Sequence, residues 1–274
     1  MPGPKKKTSY IASDLNFDKP DVLVQNILLH HNDLHIAIKK DDVLLGLEKY
    51  DADDKSDYFD AGMDLYHVES LRHDFKEQSF FLHAPSTLIP AKSFHEEELD
   101  AYIHFNFGAV SKAYKACYDD ISIIDAKLVY SLPESLLNNI HKYFPKAAVG
   151  HILPRLLSIY APKASENNAH IFLDIGMQKF DVLVFDNQKF IFTNTFNYGT
   201  AQDFIYFLMF VIKQLNLNPD TLYITLGGYI DREGSIFKYI HKYIRHVDFV
   251  STDKIKKAAE LDHLPIHYNY NIIA

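Results

Sequence analysis

Three short hydrophobic runs follow one another in the middle of the chain, at residues 171–175, 182–185 and 190–193. Each run is rich in β-branched and aromatic residues, and short polar turns separate them. Runs of this length and composition are typical of β-strands joined as antiparallel neighbours. The pattern therefore predicts a three-stranded β-meander, whose first turn contains Asp174 and Gly176.

A similar pattern occurs near the start of the chain, at residues 22–29, 34–38 and 43–47. The middle run alternates between apolar and polar positions with period two, as a half-buried strand does. Val43 and Phe190, which begin the third run of each pattern, lie about 147 positions apart, a spacing that indicates an internal duplication. We therefore predict two related halves.

Helical patterns alternate with further strands after each meander, at 96–105, 133–143, 154–160, 201–215 and 235–245. Helices between strands predict an α/β fold with a mostly parallel inner sheet, helices on both faces, and antiparallel hairpins at the start of each half. A polar connector at 161–168 marks the boundary. We expect a lead-in tail at 1–20, a first subdomain at 21–162 and a second at 163–274.

Charge and composition argue against several classes of function. The net charge of −8 disfavours nucleic-acid binding as the main function. The longest apolar run, residues 204–212, is far shorter than the roughly 20 residues that a membrane-spanning helix needs. The basic, polar start lacks the apolar core of a secretory signal, and the single cysteine, Cys117, fits a reducing compartment. We expect a cytoplasmic protein with no transmembrane segment and no nucleic-acid partner.

The turn at Asp174 and Gly176 is the clearest candidate for chemistry. Glycine lets the backbone approach a ligand closely, and successive turn amides can bind a phosphate. A carboxylate beside such a turn could hold a phosphate-bound Mg²⁺. The alternative is a structural hairpin with an ordinary turn glycine. In either case we expect Gly176 to adopt a backbone conformation that suits other residues poorly.

Fifteen histidines raise the question of a metal site. The candidate pairs are His31/His35, His241/His246 and His263/His267. Pro265 interrupts the last pair, and the other two have no acidic or cysteine partner at ligand spacing. We therefore predict that these histidines bind no metal.

Three segments carry a resemblance to a known family: 128–137 (LVYSLPESLL), 147–154 (AAVGHILP) and 171–176 (IFLDIG). They resemble the cytoplasmic actin-like proteins of type IV pilus assembly and type II secretion. With residues 87–90 and 196–199, the chain is most similar to the uncharacterised domain-of-unknown-function family 3822 of Bacteroidetes, over roughly residues 20–250. The resemblance implies a duplicated actin-like (ribonuclease H-like) fold, with mixed β-sheets flanked by helices, and no established activity.

In nucleotide-binding members of that fold, a glycine-bearing hairpin from each half clamps the phosphates, and a Gly-Gly turn packs against the adenosine. By resemblance, Asp174 and Gly176 match the second hairpin, and Gly227 and Gly228 match the adenosine turn. The first hairpin, residues 30–33, has no glycine, so its backbone cannot approach a phosphate in the same way.

This departure favours a non-catalytic scaffold with a degenerate nucleotide site, no cofactor and an unknown protein partner. The alternative is a weak Mg·ATP-binding protein, or a relative of ATPases and kinases, that uses Asp174 for Mg²⁺.

The helix at 201–215 has more aromatic residues than one buried stripe needs. Its 3- and 4-residue spacing places Phe204, Phe207, Leu208 and Val211 toward the sheet. The opposite side carries Tyr206, Met209, Phe210 and Lys213. That side is either covered, by the helix at 235–245 or by residues 268–270, or it is an exposed apolar patch that binds a partner, for example in a homodimer.

Overall fold

A computed structural model describes residues 5–30, 33–51, 65–109 and 111–274 of the chain. The described residues form two compact units. The first extends to Pro154 and includes Ile255–Leu264 and Ile273. The second comprises Arg155–Lys254 with Pro265–Ile272 and Ala274. The division lies within a helix, Ile152–Tyr160. We expected it after residue 162, since the polar connector begins where that helix ends.

The first unit contains a large mixed sheet, a small antiparallel sheet and two helices. Its strands are β1 (Lys5–Ile11), β2 (Leu23–Leu29), β3 (Asp33–Lys40), β4 (Val43–Asp51), β5 (Glu77–Leu82), β6 (Ser86–Pro90), β7 (Tyr114–Ile121), β8 (Ala126–Pro133), β9 (Ala148–His151) and β15 (Lys256–Lys257). Its helices are α1 (Leu99–Phe107) and α2 (Glu134–Tyr143), and α3 (Ile152–Tyr160) begins here. The large sheet has the order β1-β4-β3-β2-β5-β9, with β15 beside β4, and the small sheet has the order β6-β8-β7.

The second unit contains one five-stranded sheet. Its strands are β10 (Ala169–Ile175), β11 (Lys179–Asp186), β12 (Lys189–Asn197), β13 (Tyr223–Gly228) and β14 (His246–Phe249). Its helices are α4 (Ala201–Gln214) and α5 (Ser235–Tyr243), together with most of α3 and of α6 (Tyr270–Ile273). The strand order is β12-β11-β10-β13-β14.

The two sheets confirm the predicted duplication. In the first unit β4, β3 and β2 are antiparallel, and β5 and β9 then continue the sheet in parallel with β2. In the second unit β12, β11 and β10 are antiparallel, and β13 and β14 continue in parallel with β10. Both five-stranded arrays therefore have the same order and the same strand directions, and each begins with the predicted meander.

Residues 5–11 differ from the expected lead-in tail, because they form a strand. β1 pairs antiparallel with β4, with Thr8 opposite Lys49 and Ile11 opposite Gly46. Ser9 Oγ donates a hydrogen bond of 2.8 Å to Glu48 Oε1. The strand covers a sheet edge and satisfies its backbone groups, which requires no buried apolar face. Hydrophobic periodicity therefore gives no signal for it.

Helix α4 begins with a side-chain cap and packs on the sheet of the second unit. Thr200 and Asp203 form a reciprocal capping box. The buried side chains are those of Phe204, Leu208, Val211 and Ile212, which confirms three of the four predicted positions. Tyr206 is 65% exposed and Phe210 is 47% exposed, so an aromatic patch lies on the surface. Among the described residues, no helix is both long enough and apolar enough to span a membrane.

Candidate functional site

Four residues of neighbouring strands lie side by side on one face of the second unit's sheet. Asp174 of β10 lies opposite Asp181 of β11, which lies opposite Thr195 of β12. On its other side, Asp174 is in register with Gly227 of β13. We call these four residues the acidic row. The parallel pairing of β10 with β13 thus brings together two of the residues that the resemblance assigned to a nucleotide.

Both carboxylates of the acidic row are buried, with 8% of Asp174 and 8% of Asp181 exposed. Like charges directly opposite each other destabilise a sheet, so each needs a donor. Thr195 Oγ1 donates to Asp181 Oδ1 at 2.5 Å. Asn271 Nδ2 donates to Asp174 Oδ2 at 2.8 Å.

Tyr160, at the end of α3, fills the space beside the acidic row. A Cβ atom at Gly227 would lie 2.8 Å from the Tyr160 hydroxyl oxygen and 3.7 Å from Asp174 Oδ1. Burial and then the charge of Asp174 raise the pKa of Tyr160 well above its ordinary value, so the hydroxyl keeps its proton. The residue is fully buried, and the hydroxyl has no hydrogen-bond partner among the described residues.

At Gly228, the backbone of the neighbouring strand leaves no room for a side chain. Its φ is +86°, and a Cβ atom there would lie 2.2 Å from the carbonyl oxygen of Ile175. The next amide, of Tyr229, donates to the same oxygen at 2.6 Å. The close approach of β10 to the turn after β13 is thus a sufficient structural reason for glycine at this position.

Gly176 does not adopt the conformation that we expected. Among the described glycines, positive φ occurs at Gly108 and Gly228. The N–H of Gly176 donates to the carbonyl oxygen of Lys179 at 2.8 Å and closes the β10–β11 hairpin. Its own carbonyl oxygen accepts a hydrogen bond of 2.6 Å from the Tyr198 hydroxyl. Both backbone groups of Gly176 therefore already have hydrogen-bond partners in the second unit.

The segment 265–272 contacts Asp174 of the acidic row, and we call it the covering segment. Besides the bond from Asn271 to Asp174, its Tyr270 ring stacks at 6.3 Å on Tyr160. Arg155 Nε donates to the Asn271 carbonyl oxygen at 2.6 Å. From the sequence, we considered residues 268–270 only as a cover for the helix at 201–215. Contacts between residues as distant as 174 and 271 have no local pattern that would reveal them.

The corresponding hairpin of the first unit, between β2 and β3, is closed by a bond of 2.9 Å from His30 N to Asp33 O. Its tip, residues 31–32, and with it the pair His31/His35, lies outside the described residues. Burial disfavours the charged form of Asp33. The hydrogen bond with His35 and the charges of His35, His30 and Lys49 outweigh this and hold the pKa of Asp33 well below its ordinary value.

Three histidines meet at the carboxyl ends of parallel strands in the first unit. His30 follows β2, His83 follows β5, and His151 ends β9. The ring centroids of His30 and His83 are 4.9 Å apart, and those of His83 and His151 are 6.1 Å apart. Sequence reasoning missed this cluster because its members are far apart in the chain. Within the described part of the chain, no group of three His, Cys, Asp or Glu residues could hold a metal ion.

Comparison with known proteins identifies one family. The family model described as "Protein of unknown function (DUF3822)" matches residues 24–247. None of the curated proteins matches the sequence.

Two solved structures show the fold. A Bacteroides thetaiotaomicron protein with actin-like ATPase fold and unknown function is 17% identical, with a TM-score of 0.76 over 86% of this chain and 93% of that chain. The PilM–PilN type IV pilus biogenesis complex is 8% identical, with a TM-score of 0.56 over 91% of this chain and 96% of that chain. The fold is therefore actin-like, and at these identities the likeness extends to the fold alone.

Proposed function

Since the chain belongs to the family of proteins of unknown function DUF3822 and has an actin-like fold, we propose that it is a cytoplasmic, non-catalytic scaffold. It acts by binding a protein partner, and its nucleotide site is degenerate. The similar PilM–PilN structure is a complex of two proteins, which supports a partner-binding function for this fold.

One observation carries the proposal: the protein's own side chains fill the space around Asp174 and Gly227 of the acidic row. A nucleotide that packed against Gly227 would need the space that the Tyr160 hydroxyl fills. A Mg²⁺ ion at Asp174 would compete with the amide of Asn271. Both groups are buried, so neither moves aside without opening the packing around it.

The two glycine positions support the same proposal. Phosphate binding by a turn depends on free backbone N–H groups, and the N–H of Gly176 is already bonded to Lys179. Gly228 is explained by the close approach of Ile175. The bonding of Gly176 and the close packing at Gly228 therefore support a degenerate nucleotide site.

Calorimetric titration of the full chain with Mg·ATP tests the proposal. We expect no binding heat up to a nucleotide concentration of about 1 mM. Asp174→Ala should behave in the same way, as should the control Asp220→Ala, whose side chain is exposed in the turn before β13. Binding tighter than about 100 μM that weakens in Asp174→Ala but not in Asp220→Ala would overturn the scaffold and support the Mg·ATP-binding alternative.

A further inference from the structure

Strand β12 is the outer strand of the second unit's sheet. It pairs with β11 on one side, and no strand among the described residues pairs with its other side. The strand is nine residues long, and Phe190–Asn197 contains no charge and no proline. Edge strands are normally protected from further pairing by charges, prolines or short length. The outer edge of β12 therefore lacks the usual protection against pairing with a further strand.

The orientation of its backbone groups follows from one hydrogen bond. The N–H of Thr195 donates to the Asn194 side chain at 2.9 Å, so it points away from β11. In an antiparallel pair the inward and outward residues alternate. The register is continuous from Thr193 to Asn197, so the N–H and C=O groups of Thr193 and Asn197 face the open edge as well.

The sequence of this edge is the same in both directions around Asn194. Phe192-Thr193-Asn194-Thr195-Phe196 has threonine on each side of the asparagine and phenylalanine beyond it. A two-fold axis at Asn194 would place Thr193 of one copy opposite Thr195 of the other. Both residues face outward, so each such pair can exchange two backbone hydrogen bonds once the Thr195 N–H exchanges its Asn194 side-chain acceptor for the partner strand.

An aromatic band borders the same edge. Phe192 and Phe196 lie on the face that α4 covers, where Phe207 stacks on Phe196 at 5.1 Å. Tyr206 and Phe210 continue the band on the exposed side of α4. In the symmetric arrangement, Phe192 of one copy lies opposite Phe196 of the other at a non-hydrogen-bonded position, where cross-strand side chains are closest.

We propose that the edge of β12 is a self-association surface, which pairs antiparallel with β12 of a second copy about a two-fold axis at Asn194. The two sheets would become one continuous sheet. A strand of this length is about 30 Å long, and the sheet with its helix layer is about 20 Å deep. The contact would then bury about 600 Å² per copy, which reaches the lower end of specific interfaces.

Charge substitution at Asn194 gives a specific test, because a residue on the two-fold axis faces itself. The full chain should sediment as a concentration-dependent dimer between about 1 and 100 μM. Asn194→Lys and Asn194→Asp should each weaken the dimer by at least about tenfold, since like charges meet. An equimolar mixture of the two variants should recover a heterodimer. The control Asn167→Lys, at an exposed asparagine before β10, should leave the dimer unchanged.

A wild-type chain that is monomeric at 100 μM would overturn the proposal, as would a dimer unaffected by Asn194→Lys. Two charged variants that do not associate on mixing would also contradict it. Melting temperatures of both variants check that the exposed substitution leaves the fold intact. The inference goes beyond the proposed function and does not depend on it. Nucleotide titration with Asp174→Ala probes the buried acidic row, whereas sedimentation of the Asn194 variants probes the outer edge of β12.

Discussion

At the scale of single residues, the two glycine turns differ in a way that mutation can measure. Gly228 has a positive φ and no room for a Cβ atom, whereas the nearest contact of a Cβ at Gly176 would be 3.2 Å, to Lys179 O. We expect Gly228→Ala to lower the free energy of unfolding by about 3 kcal/mol or more, through strain and overpacking. Gly176→Ala should cost less than about 1 kcal/mol. Urea unfolding of both variants checks this, and equal losses would contradict it.

His170 predicts a pH dependence of stability. Burial lowers the pKa of His170 to about 4, and the ring stacks on Phe172 at 4.1 Å. The folded state therefore binds fewer protons than the unfolded state between pH 6.5 and 4, so stability falls as pH falls through that window.

Replacing the ring tests this contribution directly. His170→Phe removes the titrating group. When pH is lowered from 7 to 4, the free energy of unfolding of this variant should fall by up to about 3 kcal/mol less than that of the wild type. Chemical unfolding at a series of pH values measures the difference. Parallel stability curves for the two proteins would show that His170 does not titrate differently on folding.

The candidate site was only partly predictable from the sequence. Asp174 and Gly176 stand out because a turn leaves a local pattern, and the resemblance to the actin-like proteins adds Gly227 and Gly228. The side chains that surround them, Tyr160 and Asn271, come from other elements and carry no local pattern. Which residues fill a site is decided by tertiary packing, and a single sequence gives little information about it.

At the scale of elements, the covering segment holds the acidic row through Asn271. Asn271→Ala would remove a donor from the buried Asp174 and should lower the free energy of unfolding by about 1–3 kcal/mol. Asn167→Ala, at an exposed position, is the matched control and should have little effect. Melting curves compare them, and equal stability of the two variants would mean that the Asn271 amide contributes nothing.

The strands and helices with a clear hydrophobic periodicity were predictable from the sequence. Helix α4 was expected at 201–215 and lies at Ala201–Gln214. β1 and β15 were not expected, since strands that cover an edge need no apolar face. The short apolar run at 121–124 forms the end of β7 and a short 3-10 helix, since four residues carry too little periodicity to define an element.

At the scale of the whole molecule, substitutions in the aromatic patch on α4 should affect association without affecting stability. Phe210 is 47% exposed, so Phe210→Ser should change stability by no more than about 0.5 kcal/mol while it weakens any dimer. Phe204 is fully buried, and Phe204→Ser should cost more than about 3 kcal/mol. Sedimentation and thermal melting distinguish the two, and a large loss of stability in Phe210→Ser would mean that this side is buried.

On the function proposed above, this actin-like protein does not use its fold for nucleotide chemistry. The most direct measurement is phosphate release from Mg·ATP by the full-length wild-type chain, compared with Asp174→Ala. Because Tyr160 and Asn271 occupy the surroundings of Asp174, both proteins should release phosphate at the rate of buffer alone. Release by the wild type that is abolished in Asp174→Ala would show a working site and contradict the proposal.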